Sequence, residues 1–429
     1  MIFQVFTWEK SVFFQNHPLF FCKRVVSVVS YKKQSSKFVV FIMMKNVIRQ
    51  QLDLAEPVCR FAPVKIKEFR NGIVVRMPNH LGDAVMALPA LAALKTIIPD
   101  KCGLFVVAPA NTLQLYLALD FVDEVVALAK PHCFWSSYER KQIKMLRAGA
   151  AVLFNHSFRD ALGFKLCGVP ALYGEPTRNR GFLLRGKFSF PAKKRGEYSS
   201  SHQAMRYLAI AKAMGGKALD GLMPKLKTPS NPDELAGSAS NLFYHPLLLT
   251  IAPGAAYGAA KRWPHEYYAK VAGYWIRKGG VVALTGSAGE SAICEEIRKD
   301  LPHDKIFNLC GKTDLFNLMY LFKYNKFAIT NDSGLMHLAS AMQSPGLTVF
   351  GPTDLYDTGP VSDKWLMLHD REKCAPCLRR VCPKGNPVCT KKITPFMVIR
   401  AMRKELAPLL ADRKMIRKNK INSENPENE

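Results

Sequence analysis

The sequence predicts an α/β protein with two doubly wound, Rossmann-like sheets, one in each half of the chain. Short apolar runs alternate with segments whose apolar residues recur at helical spacing, first over 71–227 and again over 247–393. Such alternation is typical of βαβ units, which build parallel sheets. A stretch rich in Pro, Asn, Asp and Ser lies between the two series, and we interpret 228–246 as the linker.

The elements of the first domain follow from this alternation. Its predicted strands are 73–76, 104–108, 125–126 and 151–154, and its predicted helices are 83–98, 112–119, 137–146 and 202–214. The second domain repeats the pattern. Its predicted strands are 248–252, 281–285, 306–309, 327–330 and 346–350, and its predicted helices are 264–278, 291–300, 315–324 and 335–342.

The two ends of the chain do not continue the alternation of strands and helices. Residues 1–70 form an N-terminal extension without the order of a signal peptide, and we interpret it as an over-extended start with Met43 or Met44 as the initiator. A basic segment that touches a membrane is the alternative. A terminal helix is predicted over 394–412, followed by a polar tail over 413–429.

The charge of the chain indicates an anionic partner. The formal net charge is +27, and residues 130–206 carry fifteen Lys and Arg against four Asp and Glu. Nucleic acid, a membrane surface and a phosphorylated substrate are all compatible with this charge. No nucleic-acid-binding motif accompanies it, so we favour an anionic lipid or glycolipid. No apolar run is long enough to span a bilayer.

Three loops that directly follow predicted strands contain the candidate functional residues. They are MPNHLGDAVMALPAL (77–91) with Asp83, PGAAYGAAKRWPHEYY (253–268) with Lys261, and the NDSG turn (331–334) with Asp332, Ser333 and Gly334. Ligands of open α/β sheets bind at the carboxyl ends of the strands, and helix N-termini favour phosphate groups. The alternatives are ordinary helix caps for Asp83 and the NDSG turn, and a solvated basic pair for Lys261 and Arg262.

In combination, these phrases resemble the ADP-heptose:lipopolysaccharide heptosyltransferases of glycosyltransferase family 9. The phrases TNDSGLMHLASAM, FGPTD and the Asp of LGD carry the resemblance, and G-x-x-x-G-x-A-K-R-W-P is closest to the second heptosyltransferases of inner-core synthesis. The resemblance implies a GT-B fold, in which two Rossmann-like domains face each other across a cleft. It implies inverting transfer of L-glycero-D-manno-heptose from ADP-heptose to heptosyl-Kdo-lipid A, with no required cofactor.

The resemblance also implies roles for individual residues. Asp83 would be the general base and Lys261 would contact the donor diphosphate. The amides of Ser333 and Gly334 would bind the same diphosphate, and Asp332 would accept hydrogen bonds from sugar hydroxyls. His337 and Glu290 are further donor-binding candidates, although a histidine at position 337 is equally compatible with a core residue. Glu290 is placed to reach the ribose diol.

Four cysteines lie within sixteen residues near the end of the second domain. This cysteine cluster, defined here as Cys374, Cys377, Cys382 and Cys389, is compatible with a structural zinc or iron–sulfur site. The spacing is shorter than in common zinc ribbons, and the segment itself resembles the second heptosyltransferases, for which the resemblance implies no metal. A metal at these thiols would be structural, since no His or carboxylate partner accompanies them.

Two alternative functions remain open from the sequence. One is a GT-B glycosyltransferase with a different nucleotide sugar or acceptor. The other, from a different class, is a basic, metal-bearing nucleic-acid-binding protein built around the cysteine cluster. The heptosyltransferase interpretation predicts a cytoplasmic protein, peripheral on the anionic inner face of the inner membrane, that binds no nucleic acid.

Overall fold

The computed structural model describes residues 69–190, 202–228, 240–243, 245–370, 372–385 and 387–404, together with strands at 26–31, 39–44 and 58–60. The first two strands, β1 (Val26–Tyr31) and β2 (Val39–Met44), pair with each other in antiparallel fashion. The remaining strands form two larger sheets, one in each domain. The polar tail and most of the predicted linker lie outside the described residues.

The first domain contains a seven-stranded sheet with the order β3-β9-β8-β7-β4-β5-β6, parallel except for β3. Its strands are β3 (Val58–Arg60), β4 (Gly72–Arg76), β5 (Gly103–Pro109), β6 (Glu124–Leu128), β7 (Ala150–Leu153), β8 (Ala171–Gly174) and β9 (Gly186–Ser189). Its helices are α1 (Leu81–Met86), α2 (Leu88–Lys95), α3 (Leu113–Leu117), α4 (Ser137–Met145), α5 (Phe158–Leu166) and α6 (Gln203–Ala213).

The second domain contains a six-stranded sheet, parallel throughout, with the order β12-β11-β10-β13-β14-β15. Its strands are β10 (Leu248–Ala252), β11 (Val281–Leu284), β12 (Ile306–Asn308), β13 (Phe327–Asn331), β14 (Gly346–Phe350) and β15 (Trp365–His369). Its helices are α7 (Ser240–Phe243), α8 (His265–Arg277), α9 (Ser291–Arg298), α10 (Leu315–Tyr324), α11 (Gly334–Ala341), α12 (Leu355–Thr358) and α13 (Val388–Lys391), followed by a helix over 395–404.

The order of the strands places a topological switch point in each domain. In the first domain β4 lies between β5 and β7, and in the second β10 lies between β11 and β13. The chain therefore leaves each first strand in one direction along the sheet and later returns to its other side. Such points open a crevice at the carboxyl ends of the strands, where ligands bind. The loops after β4, β10 and β13, which contain the three predicted motifs, all lie at these points.

The two domains share one continuous apolar core. A single cluster of buried side chains includes Leu88 and Tyr207 of the first domain and Phe322, Met336 and Phe350 of the second. Polar contacts reinforce the same interface. Arg206 lies 3.1 Å from Asp357, and His202 Nε2 lies 2.9 Å from the Gly359 carbonyl oxygen. The relative position of the loops is therefore set by packing between the domains.

Most predicted elements agree with the structure, and the differences have physical reasons. The predicted helix 83–98 is two helices that meet at Ala87, because Pro89 has no N–H and begins a new first turn. The strands β8, β9 and β15 are absent from the prediction: β8 and β15 are short and buried and lack a clear period, and polar residues interrupt β9. Strands β1 to β3 come from the predicted N-terminal extension. None of the described helices is long and apolar enough to cross a membrane.

Candidate active site

The N-termini of α1 and α11 meet at the interface between the domains. A Cβ atom placed on Gly82 would lie 2.9 Å from His337 Cδ2, and one placed on Gly334 would lie 3.1 Å from Leu81 Cβ. Both distances are shorter than ordinary contacts, so the approach of these helices depends on glycine at both positions. This contact brings the loop with Asp83 directly against the NDSG turn, although 250 residues separate them.

Lys261 forms a buried ion pair with Asp332. It lies in a short 3-10 helix (Ala259–Lys261), and its Nζ is 2.7 Å from Asp332 Oδ2, with side chains 12% and 4% exposed. Thr353 Oγ1 donates a second hydrogen bond of 2.5 Å to the same carboxylate oxygen. The ammonium also lies 4.7 Å from the centre of the Tyr257 ring. Asp332, predicted to contact the sugar, therefore holds Lys261 in this structure.

Asp83 is half-buried beside this ion pair. Burial raises the pKa of Asp83 above its ordinary value, and the nearby positive charges of His80 and Lys261 oppose that rise. The carboxylates of Asp332 and Asp357 raise the pKa of Asp83 further. Carboxylates whose pKa is raised accept protons more readily. The structure thus brings together Asp83, Lys261 and Asp332, three of the residues predicted from separate motifs.

Two polar atoms of the NDSG turn and of the helix that follows it are buried beside this site. Ser333 is the N-cap residue of α11 but its side chain makes no capping hydrogen bond. Among the described residues, none hydrogen-bonds to Ser333 Oγ or to His337 Nδ1, although both atoms are buried. Burial lowers the pKa of His337 to about 3, so its imidazole is neutral at physiological pH. A ligand that supplies polar groups would satisfy these atoms.

Glu290 lies against the loop that carries Lys261. Its Oε2 accepts hydrogen bonds from Ser287 N at 2.8 Å and from Ser287 Oγ at 3.0 Å. A Cβ atom on Gly254 would lie 1.7 Å from Glu290 Oε1, so Gly254 provides the space that the carboxylate fills. Part of the hydrogen-bonding capacity of Glu290 is therefore used in a capping box, which fixes its position beside the predicted donor loop.

Asn331 supports the site and was not among the predicted residues. Its Oδ1 accepts hydrogen bonds from Trp263 N and from Tyr268 Oη, each at 2.9 Å. Its Nδ2 donates to the carbonyls of Pro253 at 2.6 Å and Gly254 at 3.2 Å. One buried amide thus ties both ends of the loop with Lys261 to the end of β13. The one sequence signal was its position at the start of the NDSG turn, where the two following residues drew attention to ligand binding.

The segment with the cysteine cluster contacts the loop of Lys261 from the other side. The Arg380 carbonyl accepts a 3.0 Å hydrogen bond from Ala260 N, and the Leu378 carbonyl accepts a 2.7 Å bond from Tyr257 Oη. Gly258 has a φ of 155°, and a Cβ atom there would lie 2.4 Å from the Arg380 carbonyl oxygen. The segment therefore determines the shape of the loop immediately before Lys261.

The four thiols of the cysteine cluster are not joined in disulfides, and they line one cavity of about 310 Å³. Burial and the neighbouring thiols of the cluster raise the pKa of Cys389 to about 11. Across the described ranges of the chain, no three His, Cys, Asp or Glu side chains have the geometry of a metal site. In this arrangement the cluster is therefore a group of neighbouring thiols around a void.

The family follows from comparison with known proteins. The model of the family "Glycosyltransferase family 9 (heptosyltransferase)" matches residues 140–387, more than half of the chain. The chain belongs to glycosyltransferase family 9. The matched region includes Lys261, Glu290, the NDSG turn and most of the cysteine cluster. Asp83 precedes it.

Relatives of this family 9 protein cover most of its length. It is 31% identical to the lipooligosaccharide heptosyltransferase 2 of Haemophilus influenzae, over 68% of this chain and 86% of the relative. It is 30% identical to the lipopolysaccharide heptosyltransferase 2 of Salmonella typhimurium, with the same coverage. The structure of E. coli ADP-heptose lps heptosyltransferase II matches with a TM-score of 0.64 and 26% identity, over 80% of this chain and 99% of that one.

These comparisons confirm the predicted family, the GT-B fold and the enzyme class. The protein is a glycosyltransferase, which argues against the alternative of a nucleic-acid-binding protein. The roles of the individual site residues stay predictions.

Proposed function

We propose that this family 9 glycosyltransferase transfers L-glycero-D-manno-heptose from ADP-heptose to the heptosyl-Kdo-lipid A inner core of lipopolysaccharide. The observation that carries the proposal is the meeting of Asp83, Lys261 and the N-terminus of α11 at the contact between Gly82 and Gly334. A candidate proton acceptor thus lies beside a candidate site for a diphosphate, which supports transfer from a nucleotide sugar. The similarity to heptosyltransferases 2 favours heptose as the sugar.

In the proposed mechanism Asp83 takes the proton of an acceptor hydroxyl. The hydroxyl oxygen attacks the anomeric carbon of the donor from the side opposite to the diphosphate, so that the configuration inverts. The bond between the anomeric carbon and the phosphate oxygen breaks, and ADP leaves with the electron pair. A raised pKa of Asp83 suits this role, because a general base works best when its pKa lies near the pH at which the enzyme operates.

Lys261 and the N-terminus of α11 stabilise the leaving ADP in this proposal. Ser333 and Gly334 lie at the N-terminus of α11, where backbone N–H groups lack helical partners and the helix dipole is positive. Lys261 Nζ exchanges Asp332 Oδ2 for a diphosphate oxygen, and Asp332 is then released toward the sugar hydroxyls. Glu290 binds the ribose, and the neutral His337 contacts the donor without adding charge.

We propose that the reaction needs no cofactor, because Lys261 and the helix end supply the positive charge that stabilises the departing diphosphate. A structural zinc held by the cysteine cluster is the alternative, in which the metal would stabilise the segment beside the Lys261 loop and would take no part in catalysis.

We infer the location of the enzyme in the cell from its proposed substrates. ADP-heptose is a soluble nucleotide sugar and the acceptor is anchored in a bilayer by lipid A, so the enzyme would act in the cytoplasm at the inner face of the inner membrane. The net charge of +27 favours such an anionic surface.

Calorimetric titration with ADP-heptose and UDP-glucose tests the proposal. The wild-type protein should bind ADP-heptose selectively, and Lys261→Ala should abolish that binding. Lys278→Ala is the control, because Lys278 is exposed at the end of α8 and away from the site. Binding of UDP-glucose in place of ADP-heptose would instead support a GT-B enzyme of another specificity. Binding of neither ligand by the folded wild type would refute a donor site at Lys261.

A further inference from the structure

Three phenylalanines, two of them exposed, follow strands of the first sheet. Three strands parallel to β4, namely β6, β7 and β8, end at the same edge of the first sheet as the loop that leads to Asp83. The segments that follow them carry Phe134, Phe158 and Phe182. Phe134 is 64% exposed and Phe182 is 77% exposed, which is unusual for large apolar side chains.

Contacts join these side chains in pairs, and two arginines lie beside them in the sequence. The Phe158 and Phe182 ring centres are 6.2 Å apart, and the Arg159 guanidinium lies 6.0 Å from the centre of the Phe134 ring. Arg178, also exposed, lies in the turn just before Phe182. We call this surface the rim patch and define it as Phe134, Phe158, Arg159, Arg178 and Phe182.

Two polar contacts connect the segments that carry the rim patch to the end of β4 and to the loop that follows it. His132 Nδ1, two residues before Phe134, lies 3.4 Å from Asn79 Nδ2 in that loop. Asp160, directly after Arg159, forms a buried 2.7 Å ion pair with Arg76 at the end of β4. The rim patch and the candidate base Asp83 therefore belong to the same edge of the first domain.

The exposed charged residues of the chain segment that carries the rim patch have a single sign. The acidic residues between positions 130 and 190 are Glu139, Asp160 and Glu175, and none of them is exposed. The exposed charged residues in the segments that directly follow β6, β7 and β8 include Lys130, Arg159 and Arg178. Arg147 and Arg185 are also exposed, but they precede β7 and β9 and therefore belong to the opposite edge of the sheet.

We propose that the rim patch is the surface by which this protein docks on an anionic lipid bilayer. Exposed aromatic rings insert at the level of the headgroups, and arginines beside them pair with lipid phosphates. A protein partner would be expected to offer acidic side chains over a defined area, whereas a bilayer fits aromatic side chains spread along an edge with uniform positive charge. The inference rests on the proposed function, since a bilayer-anchored acceptor gives the docking its purpose: it presents the acceptor hydroxyl beside Asp83.

Flotation with lipid vesicles tests the docking surface. Wild-type protein should bind vesicles that contain about 30% phosphatidylglycerol and bind phosphatidylcholine vesicles weakly. The variant Phe134→Ser/Phe182→Ser should lower partitioning about tenfold, because it removes the inserted rings. Arg159→Gln and Arg178→Gln should each lower it about fivefold and flatten its dependence on salt.

Phe396→Ser is the matched control, because Phe396 is 67% exposed in the second domain and lies outside the rim patch. It should bind vesicles like the wild type. Equal vesicle binding by the wild type and the double Phe variant would overturn the proposal. A wild-type dimer that becomes a monomer in the double variant would also overturn it, since the patch would then be a contact between two copies.

Donor binding separates this proposal from the proposed function. The rim variants should bind ADP-heptose with unchanged affinity, and their KM for an acceptor embedded in vesicles should rise at least in proportion to the lost partitioning. With a short acceptor lacking lipid, their rates should equal that of the wild type. A wild type that binds vesicles through the rim patch but not ADP-heptose would refute the proposed function and support the docking surface.

Discussion

Replacement of Lys261 by methionine separates the structural role of this residue from its proposed role in catalysis. The change removes the ammonium group and keeps most of the aliphatic stem. At 2.7 Å the attraction between Lys261 Nζ and Asp332 Oδ2 is about 6 kcal/mol for an effective dielectric constant of about 20. The cost of burying both charges offsets most of this attraction in the intact pair.

Loss of the Lys261 ammonium leaves the Asp332 carboxylate buried without its partner charge. Removal of one member of a buried pair typically costs about 3–5 kcal/mol. Asp332 keeps its hydrogen bond from Thr353, so we expect Lys261→Met to lower the free energy of unfolding by about 3 kcal/mol. The corresponding fall in Tm is about 3 °C, for an unfolding entropy of about 2.1 cal/mol/K per residue.

Urea and thermal unfolding of a double-mutant cycle check this expectation. Asp332→Asn added to Lys261→Met should restore about 2 kcal/mol of stability, because it removes the stranded carboxylate. ADP-heptose binding should stay absent in the double variant. Lys278→Met, at an exposed position, should leave stability unchanged. An unfolding midpoint of Lys261→Met equal to that of the wild type would refute the reasoning, since the buried ion pair would then contribute nothing measurable.

Three other predictions concern the base, the loop and the cysteine cluster. Asp83→Asn should lower turnover by about 10²–10⁴ with donor affinity retained, whereas Asp120→Asn at the surface should have no effect. Burial raises the pKa of Asp83, so the folded state binds this proton more tightly than the unfolded state. The charged carboxylate therefore costs stability once the pH exceeds its ordinary value of 3.8, and Asp83→Asn should be more stable than the wild type at pH 7 in urea unfolding. For the same reason, the acid limb of the kcat/KM profile should lie above that ordinary value. Gly258→Ala should weaken ADP-heptose binding at least tenfold by displacing the Lys261 loop, while Gly289→Ala, where a Cβ meets no atom within 4 Å, should bind normally. Elemental analysis of protein purified under reducing conditions should find less than about 0.1 equivalent of zinc or iron; a full equivalent that disappears when the cysteine cluster is changed to serine would establish the structural metal instead.

The sequence predicted the two sheets because the strands that define them are continuous apolar runs. Strands β10, β13 and β14 are buried along their whole length, and their predicted bounds differ from the observed ones by at most one residue. Strand β9 escaped prediction because Lys187 and Ser189 interrupt its apolar pattern. Helix α2 begins at Leu88 because of Pro89, a local effect that the helical spacing of apolar residues does not reveal.

Site residues in loops that directly follow strands could be predicted from the sequence. Contacts between residues far apart in the sequence could not. Asp83, Lys261 and the NDSG turn each occupy a loop that the α/β pattern places at a sheet edge. The ion pair between Lys261 and Asp332 spans 71 residues of sequence, and no local pattern encodes it. The same holds for Asn331, whose amide joins two ends of one loop, and for Arg380, whose carbonyl determines the shape of that loop.

The glycine contact between the two domains has a consequence for which substitutions the site tolerates. Gly82 and Gly334 lie where the helices of the two domains touch, and they are the sequence neighbours of Asp83 and Ser333. A methyl group at either position would push the two helix ends apart, and Asp83 and Ser333 would move with them. The space left by two missing side chains thus sets the distance between the candidate base and the end of α11.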